Sequence, residues 1–143
     1  MRVEILLVED NPGDVLLARD ALRDAKLKNN LNVVSDGVEA LEFLRKQGKY
    51  ANAPRPHLIL LDLNLPRIDG REVLEAIKND PKLDSIPVIM LTTSDDANDI
   101  AESYKLRANC YITKPSDLDQ TIKVIKSIEE FWLTTAKLPK ETN

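Results

Sequence analysis

The sequence has few of the residues that build disulfides, thiolate metal sites and catalytic triads. Its 143 residues include one cysteine, Cys110, and one histidine, His57. A lone cysteine cannot form an internal disulfide, and its apolar neighbours favour a small buried side chain. His57 has no second histidine, cysteine or catalytic serine pattern near it, so we interpret it as a solvent-facing loop residue.

Long apolar runs and concentrated positive charge are also lacking. No apolar run approaches the roughly 20 residues that cross a bilayer, so the sequence predicts no membrane association. The first run, 5–8, is too short for a secretory signal, which predicts a cytoplasmic protein. The net charge is −4, with Lys and Arg scattered along the chain, and this argues against direct binding of nucleic acid.

The pattern that is present alternates strand-like and helix-like segments five times. The predicted strands are 4–8, 32–34, 58–61, 88–91 and 110–112, and the predicted helices are 15–25, 37–45, 72–78, 100–106 and one from about 117. Asn11 and Pro12 are expected to open the first helix, while Ser35 caps the second and Gly48 ends it. We expect an α/β fold with a five-stranded parallel sheet of order 2-1-3-4-5, flavodoxin-like and doubly wound.

Length favours one domain, which we place at 1–135, with a polar tail at 136–143 and no output domain.

Acidic residues end two neighbouring strands of this predicted sheet. Glu9 and Asp10 follow the first strand, and Asp62 follows the third. Two negative charges about 4 Å apart repel by roughly 4 kcal/mol at an effective dielectric of 20, and a divalent cation would relieve that repulsion. Oxygen-only ligands suit Mg²⁺, with Mn²⁺ possible, better than zinc.

The fourth and fifth strands add a hydroxyl and an ammonium to the same edge. Thr92 ends the fourth strand, and Lys114, followed by Pro115, ends the fifth. A metal, a hydroxyl and a lysine together form a site for a phosphoryl group. The sequence leaves open whether the Lys114-Pro115 peptide is cis.

Together these motifs resemble the receiver domain of two-component response regulators. The resemblance rests on the acids at 9–10, the D-x-N-x-P of 62–66, Asp69-Gly70, the Thr92 strand end and Lys114-Pro115, in that order along the chain. It implies that Asp62 accepts a phosphoryl group from the phosphohistidine of a sensor kinase.

The same resemblance implies a ligand set for Mg²⁺. Asp10 and Asp62 would bind the ion directly, Glu9 would act through water, and the backbone carbonyl of Asn64 would complete the set. No cofactor other than the metal is implied.

The resemblance also implies a switch. Lys114 would hold one phosphoryl oxygen and Thr92 would close on another, while Tyr111 swings inward as the threonine moves. The signal would then pass by protein contact or by phosphorelay.

Longer phrases are similar to a narrower group, the stand-alone receivers paired with phytochrome-type histidine kinases. They are DLNLPRIDGREVL at 62–74, ANCYITKP at 108–115 and SIEEFWL at 127–133. The implied partner is such a kinase, and the downstream partner is not identified.

Two other functions fit the acidic motifs. A phosphorylation-independent pseudo-receiver is one, although such proteins typically lose the acids or the lysine. A Mg²⁺-dependent phosphohydrolase is the other, but it would place a second aspartate where Asn64 stands. We therefore expect no enzyme activity beyond the protein's own phosphorylation and dephosphorylation.

The last helix carries more apolar residues than a single core-facing stripe needs. Leu118, Ile122, Ile125 and Trp132 form the predicted core stripe, and Val124, Ile128 and Phe131 widen it. The wider part predicts a homodimer through the fourth and fifth helices and the fifth strand, unless the fourth helix covers it.

Overall fold

The computed structural model describes residues 2–139, in which five strands alternate with five α-helices. The strands are β1 (Val3–Val8), β2 (Asn29–Val34), β3 (Leu58–Leu61), β4 (Val88–Thr92) and β5 (Cys110–Thr113). The helices are α1 (Pro12–Arg23), α2 (Gly37–Leu44), α3 (Gly70–Lys78), α4 (Ala97–Lys105) and α5 (Leu118–Glu129). A 3-10 turn spans Gly48–Tyr50, and α5 continues as a π-helix over Glu130–Thr135.

The strands form one parallel sheet of order β2-β1-β3-β4-β5, which confirms the predicted fold class. The register pairs Val8 at the end of β1 with Leu61 at the end of β3. The residues that follow these two strands therefore leave the same edge of the sheet side by side. This register brings Glu9 and Asp62 together.

Helices cover both faces of the sheet because side chains alternate between the faces along each strand. In β1, Leu6 and Val8 pack into one buried cluster with residues of α2 and α3. Ile5 and Leu7 point the other way and pack with α1 and α5. The central strands β3 (LILL) and β4 (VIMLT) are thus apolar at nearly every position, as expected for strands covered on both sides, whereas the edge strand β2 (NNLNVV) carries three asparagines.

The first helix begins three residues before the predicted start, and the reason is its cap. Asn11 has extended backbone angles, and its side-chain oxygen accepts the Asp14 N–H at 3.1 Å. Pro12 occupies the first helical position, where its missing N–H costs nothing. The opening predicted from Asn11 and Pro12 is confirmed.

The second helix nearly spans its predicted range, 37–45, but both residues predicted to mark its ends, Ser35 and Gly48, are wrong. Asp36, not Ser35, is the cap: its carboxylate accepts the Glu39 N–H at 2.8 Å. The helix ends at Leu44, and Lys46 rather than Gly48 takes the first left-handed position, with φ of 55°. Gly48, with φ of 57°, instead opens the 3-10 turn.

The buried face of α5 is rotated from the predicted one. Leu118, expected in the core, is 66% exposed, whereas Ile128, expected at an interface, is only 4% exposed. The reason is that α1 packs along α5, so Ile125 and Ile128 face α1 and the sheet. Val124 is half-buried against the same cluster, and Phe131 is 53% exposed.

His57 is half-buried rather than solvent-facing, and its Nδ1 accepts the Glu4 N–H at 2.9 Å. The Lys114-Pro115 peptide is trans, as is every peptide bond between residues 2 and 139. No helix in that range has the length and apolar character to cross a bilayer. Residues 140–143 of the predicted tail lie outside the described part of the chain.

Candidate functional site

Three carboxylates meet at the carboxyl edge of the sheet. Glu9, Asp10 and Asp62 each offer an oxygen, and the three oxygens lie within 4.8 Å of one another. Glu9 and Asp62 are buried, at 3% and 8% exposure, while Asp10 is exposed to solvent. Such a cluster, open on one side, leaves room for a cation that keeps part of its water shell.

The environment of Glu9 disfavours the charged form of its carboxyl group. Burial, together with the negative charge of Asp62, raises the pKa of Glu9 from 4.5 to about 7, although Lys114 opposes the shift. A carboxylate whose charged form is this disfavoured gains from any nearby positive charge. The donor set contains only oxygens and no thiolate or imidazole, so it fits a hard divalent cation such as Mg²⁺ or Mn²⁺.

Asp62 is fixed by the backbone on either side of it. Its N–H donates to the Val8 carbonyl at 3.1 Å, which continues the β1–β3 ladder by one residue. The N–H of Asn64 donates to the Asp62 carboxylate at 3.3 Å, so Asn64 lies beside the acids. That the Asn64 carbonyl completes the ligand set stays a prediction.

Gly70 sets how closely α3 approaches Asp62. Its N–H donates to the Leu63 carbonyl at 2.8 Å, and a β-carbon at this position would collide with the Asp62 carbonyl and lie 2.7 Å from the Leu63 α-carbon. Only glycine permits that approach. The start of α3 therefore supports the backbone that carries the Asp62 side chain.

The buried Lys114 supplies the positive charge of the site. Its Nζ donates to Glu9 at 2.7 Å and to Asp14 at 3.0 Å, and it lies 3.6 Å from the Asp62 carboxylate. Burial alone would lower the pKa of Lys114, but the hydrogen bond to Glu9 and the charges of Asp62 and Glu9 raise it. The ammonium is therefore charged and already close to the acid that it is predicted to assist.

The hydroxyls of Thr92 and Tyr111 both bond to the loop that follows β4. Thr92 is fully buried, and its Oγ1 accepts the Ser94 N–H at 3.5 Å. The half-buried Tyr111 donates its hydroxyl to the Ser94 carbonyl at 2.8 Å. Since both side chains bond to Ser94, a displacement of this loop would change the hydrogen bonds of both Thr92 and Tyr111.

The structure thus brings six of the predicted site residues to one edge of the sheet: Glu9, Asp10, Asp62, Asn64, Thr92 and Lys114. Tyr111 lies on β5, three residues before Lys114, and its hydroxyl bonds to Ser94 in the loop after β4. The predicted interface residues lie apart from this edge, on α5 and its π-helical continuation.

Sequence reasoning missed Asp14, which contacts Lys114 directly. A helix that begins at Pro12 carries Asp14 in its first turn, immediately after the acids that follow β1. The Asn-Pro opening was visible in the sequence and places Asp14 in the first turn of the helix, but only the structure shows that Asp14 contacts Lys114.

The site can bind an anion that carries oxygens. The Lys114 ammonium lies 3.6 Å from the Asp62 carboxylate, and Thr92 ends the neighbouring strand β4. A cation held by the three acids would add positive charge beside Asp62. A phosphoryl group bonded to that carboxylate would meet positive charge and hydrogen-bond donors together.

Comparison with known proteins gives concordant matches. A family model described as "Response regulator receiver domain" matches residues 5–126. "Response regulator Rcp1" from Synechocystis sp. (strain ATCC 27184 / PCC 6803 / Kazusa) is 50% identical over 135 residues, which covers 94% of this chain and 92% of that protein.

Two solved structures are similar over nearly their whole lengths. The phosphorylated cyanobacterial phytochrome response regulator RcpA has a TM-score of 0.96 and 53% identity, covering 98% of this chain and 100% of its own. The Mn²⁺-bound form of Rcp1 has a TM-score of 0.94 and 48% identity, covering 96% and 99%.

Proposed function

Because this chain belongs to the family of response regulator receiver domains, we propose that it accepts a phosphoryl group on Asp62 from the phosphohistidine of a sensor histidine kinase. The observation that carries the proposal is the convergence of three acids, one buried lysine and one buried threonine on a single edge of the sheet. The chain takes part in its own phosphorylation and dephosphorylation and has no other substrate.

Transfer requires an oxygen of Asp62 to attack phosphorus while the bond from phosphorus to the imidazole nitrogen breaks. The electron pair of that bond stays on the imidazole, and an acyl phosphate forms on Asp62. Asp10, Asp62 and the Asn64 carbonyl, with Glu9 acting through water, would hold a divalent cation, whose charge would offset these acids and the phosphoryl oxygens. Lys114, 3.6 Å from Asp62, provides a donor to one phosphoryl oxygen.

Phosphorylation then changes the hydrogen bonds of Thr92. The acyl phosphate adds negative charge and acceptor oxygens next to Asp62, and the Thr92 hydroxyl donates to one of them. The Thr92 Oγ1 accepts only a long contact from the Ser94 N–H, at 3.5 Å, so the side chain can move toward the phosphoryl group at little cost. Tyr111, bonded to the Ser94 carbonyl, couples the movement to β5 and α4, where a partner can detect it.

The kinase partner that we propose is phytochrome-type. Support comes from the related proteins, since RcpA is a cyanobacterial phytochrome response regulator. Light sensing would belong to the kinase, and the receiver would work in the cytoplasm, where the kinase has ATP. The signal leaves the receiver by contact with a protein or by phosphorelay.

Labelled phosphoryl transfer tests the proposal. The protein is incubated with a purified phytochrome-type kinase, labelled ATP and Mg²⁺, alongside an Asp62→Asn variant. Label is expected on the wild type, lost with chelator, and absent from the variant. Asp69→Asn is the matched control, because Asp69 caps α3 next to the site and its loss leaves Asp62 in place. Undiminished label on Asp62→Asn contradicts the assignment, and an unlabelled wild type favours a pseudo-receiver.

We also propose a homodimer through α4, β5 and the end of α5. Tyr104 of α4, whose hydroxyl accepts the Tyr111 N–H of β5, is 50% exposed. Phe131, on the π-helical continuation of α5, is 53% exposed, whereas Ile128 is buried within the chain itself. Phe131→Ser is therefore expected to weaken the dimer, so that the average mass measured by light scattering falls toward that of the monomer. The control is Leu16→Ser, since Leu16 is 63% exposed on α1. A monomeric wild type at high micromolar concentration, with and without phosphorylation, rules the dimer out.

A further inference from the structure

We propose that Asp14 is a positioning residue that holds the Lys114 ammonium away from Asp62 until a phosphoryl group competes for it. The inference rests on the proposed function and adds a residue outside the motifs that define the site. Asp14 comes from α1 and Lys114 from the end of β5, so the contact joins residues 100 positions apart in the chain.

The Lys114 ammonium has three N–H donors, and their use in the structure is uneven. Glu9 takes one at 2.7 Å and Asp14 takes another at 3.0 Å, whereas Asp62 lies at 3.6 Å, beyond direct hydrogen-bond distance. In this state the lysine is bonded to two acids that do not receive the phosphoryl group. Asp14 is the one of these two that we assign no metal-binding role.

The position of Asp14 is fixed by the start of α1. Its N–H is capped by the Asn11 side chain at 3.1 Å, so the first turn presents its carboxylate to Lys114 rather than to solvent alone. The Asp14 side chain is 30% exposed, against 6% for Lys114. An acid in the first turn also interacts favourably with the helix dipole, but that role requires no contact with a residue on β5.

A phosphoryl group on Asp62 must draw Lys114 toward it, and every hydrogen bond that Lys114 keeps with Asp14 opposes that movement. Removing the Asp14 charge therefore favours the phosphoryl-bound state. The half-exposed geometry places the expected gain at about three- to tenfold in affinity for a phosphoryl mimic. Asp14 in this view limits how strongly the acyl phosphate is held.

Beryllium fluoride is the probe, because it binds a carboxylate as a mimic of an acyl phosphate and its uptake is measured directly by ¹⁹F NMR at saturating Mg²⁺. Asp14→Asn is expected to bind it about three- to tenfold more tightly than the wild type. Asp20→Asn, which removes the same charge from an exposed position of α1, is expected to change the affinity less than about twofold. Asp14→Glu keeps the charge and retains wild-type affinity. Thermal melts confirm that each variant is folded.

A double-mutant cycle with Lys114→Met separates positioning from simple charge repulsion. If Asp14 acts through Lys114, the gain from Asp14→Asn disappears in the Lys114→Met background. A gain that persists there, or an Asp14→Asn affinity equal to or weaker than that of the wild type, overturns the inference while leaving the phosphoacceptor role intact. A wild type that takes up no beryllium fluoride overturns the proposed function, and this inference with it.

Discussion

Replacing Gly70 by alanine should damage both the fold and the site, because the three atoms nearest to the new methyl group are all backbone atoms. It would collide with the Asp62 carbonyl and lie 2.7 Å from the Leu63 α-carbon and 2.9 Å from the Leu63 carbonyl oxygen. Carbon atoms normally approach to about 3.5 to 4.0 Å, so the overlap is about 1 Å. Backbone atoms cannot rotate away as the end of a side chain can.

The structure relieves this overlap by moving the start of α3. The 2.8 Å hydrogen bond from Gly70 N–H to the Leu63 carbonyl then lengthens or breaks. Overpacking costs about 1 to 3 kcal/mol and the lost bond about 1 kcal/mol, so we expect Gly70→Ala to destabilise the fold by about 2 to 4 kcal/mol. That is a large part of a total stability of about 5 to 15 kcal/mol.

Urea unfolding followed by circular dichroism measures the loss, and Gly13→Ala is the matched control. Gly13 also lies in the first turn of a helix, but its β-carbon would meet only the Asn11 side-chain oxygen, at 3.2 Å. That variant should stay within about 1 kcal/mol of the wild type. Because α3 supports the Asp62 backbone, Gly70→Ala should also weaken Mg²⁺ binding, measured by calorimetry.

Equal unfolding free energies for Gly70→Ala and the wild type would refute the steric reasoning. A destabilised Gly70→Ala protein that binds Mg²⁺ normally would refute the link between α3 and the acids, while leaving the packing argument in place.

Two further predictions concern titration and a buried polar contact. Because burial and Asp62 raise the pKa of Glu9 to about 7, Glu9 holds its proton in the folded protein and has lost it in the unfolded chain between pH 4.5 and 7. Its contribution to stability is therefore full below pH 4.5 and is lost as the pH rises through 7. Mg²⁺ binding must displace the same proton, so the Mg²⁺ affinity measured by calorimetry should rise about tenfold from pH 6 to pH 8. An affinity that does not change with pH would contradict this, and so would a Glu9→Gln variant with the same pH dependence as the wild type. The Asn109 side-chain oxygen accepts hydrogen bonds from both the Lys78 ammonium and the Val88 N–H, each at 2.9 Å. Asn109→Ala removes this acceptor from two buried donors, so it should destabilise the fold by about 2 kcal/mol. Asn79→Ala, which removes an exposed contact with Arg107, is the control, and equal urea midpoints for the two variants would show that the buried contact contributes nothing.

Much of the fold could be predicted because the central strands carry their own signal, whereas only residues 32–34 of the asparagine-rich β2 could be recognised. Four branched apolar residues in a row, as in Leu58–Leu61, indicate a strand that is covered on both faces, and few other structures fit such a run. The residues that cap the helices could be predicted less well. Ser35 and Asp36 are both good capping residues, and only the backbone angles at Asp36, with φ of −150° and ψ of 170°, decide between them.

The amphipathic pattern of α5 shows a different limit. Leu118 and Ile128 are both apolar, and a helical wheel places both within a wide apolar arc. Which edge of that arc is buried depends on where α1 lies, and the sequence of α5 carries no information about α1. The structure buries Ile128 and exposes Leu118 for that reason.

By itself the sequence determined the alternation of strands and helices, the acids that follow β1 and β3, and the hydroxyl and ammonium at the ends of β4 and β5. These depend on local patterns and on the rule that parallel strands present their carboxyl ends at one edge. Tertiary structure alone decided the distances within the site. Lys114 bonds to Glu9 and Asp14 and stays 3.6 Å from Asp62 because three separate segments fix those groups. No pattern along the chain encodes which of several acids a lysine contacts, since that choice is made by packing between elements distant in sequence.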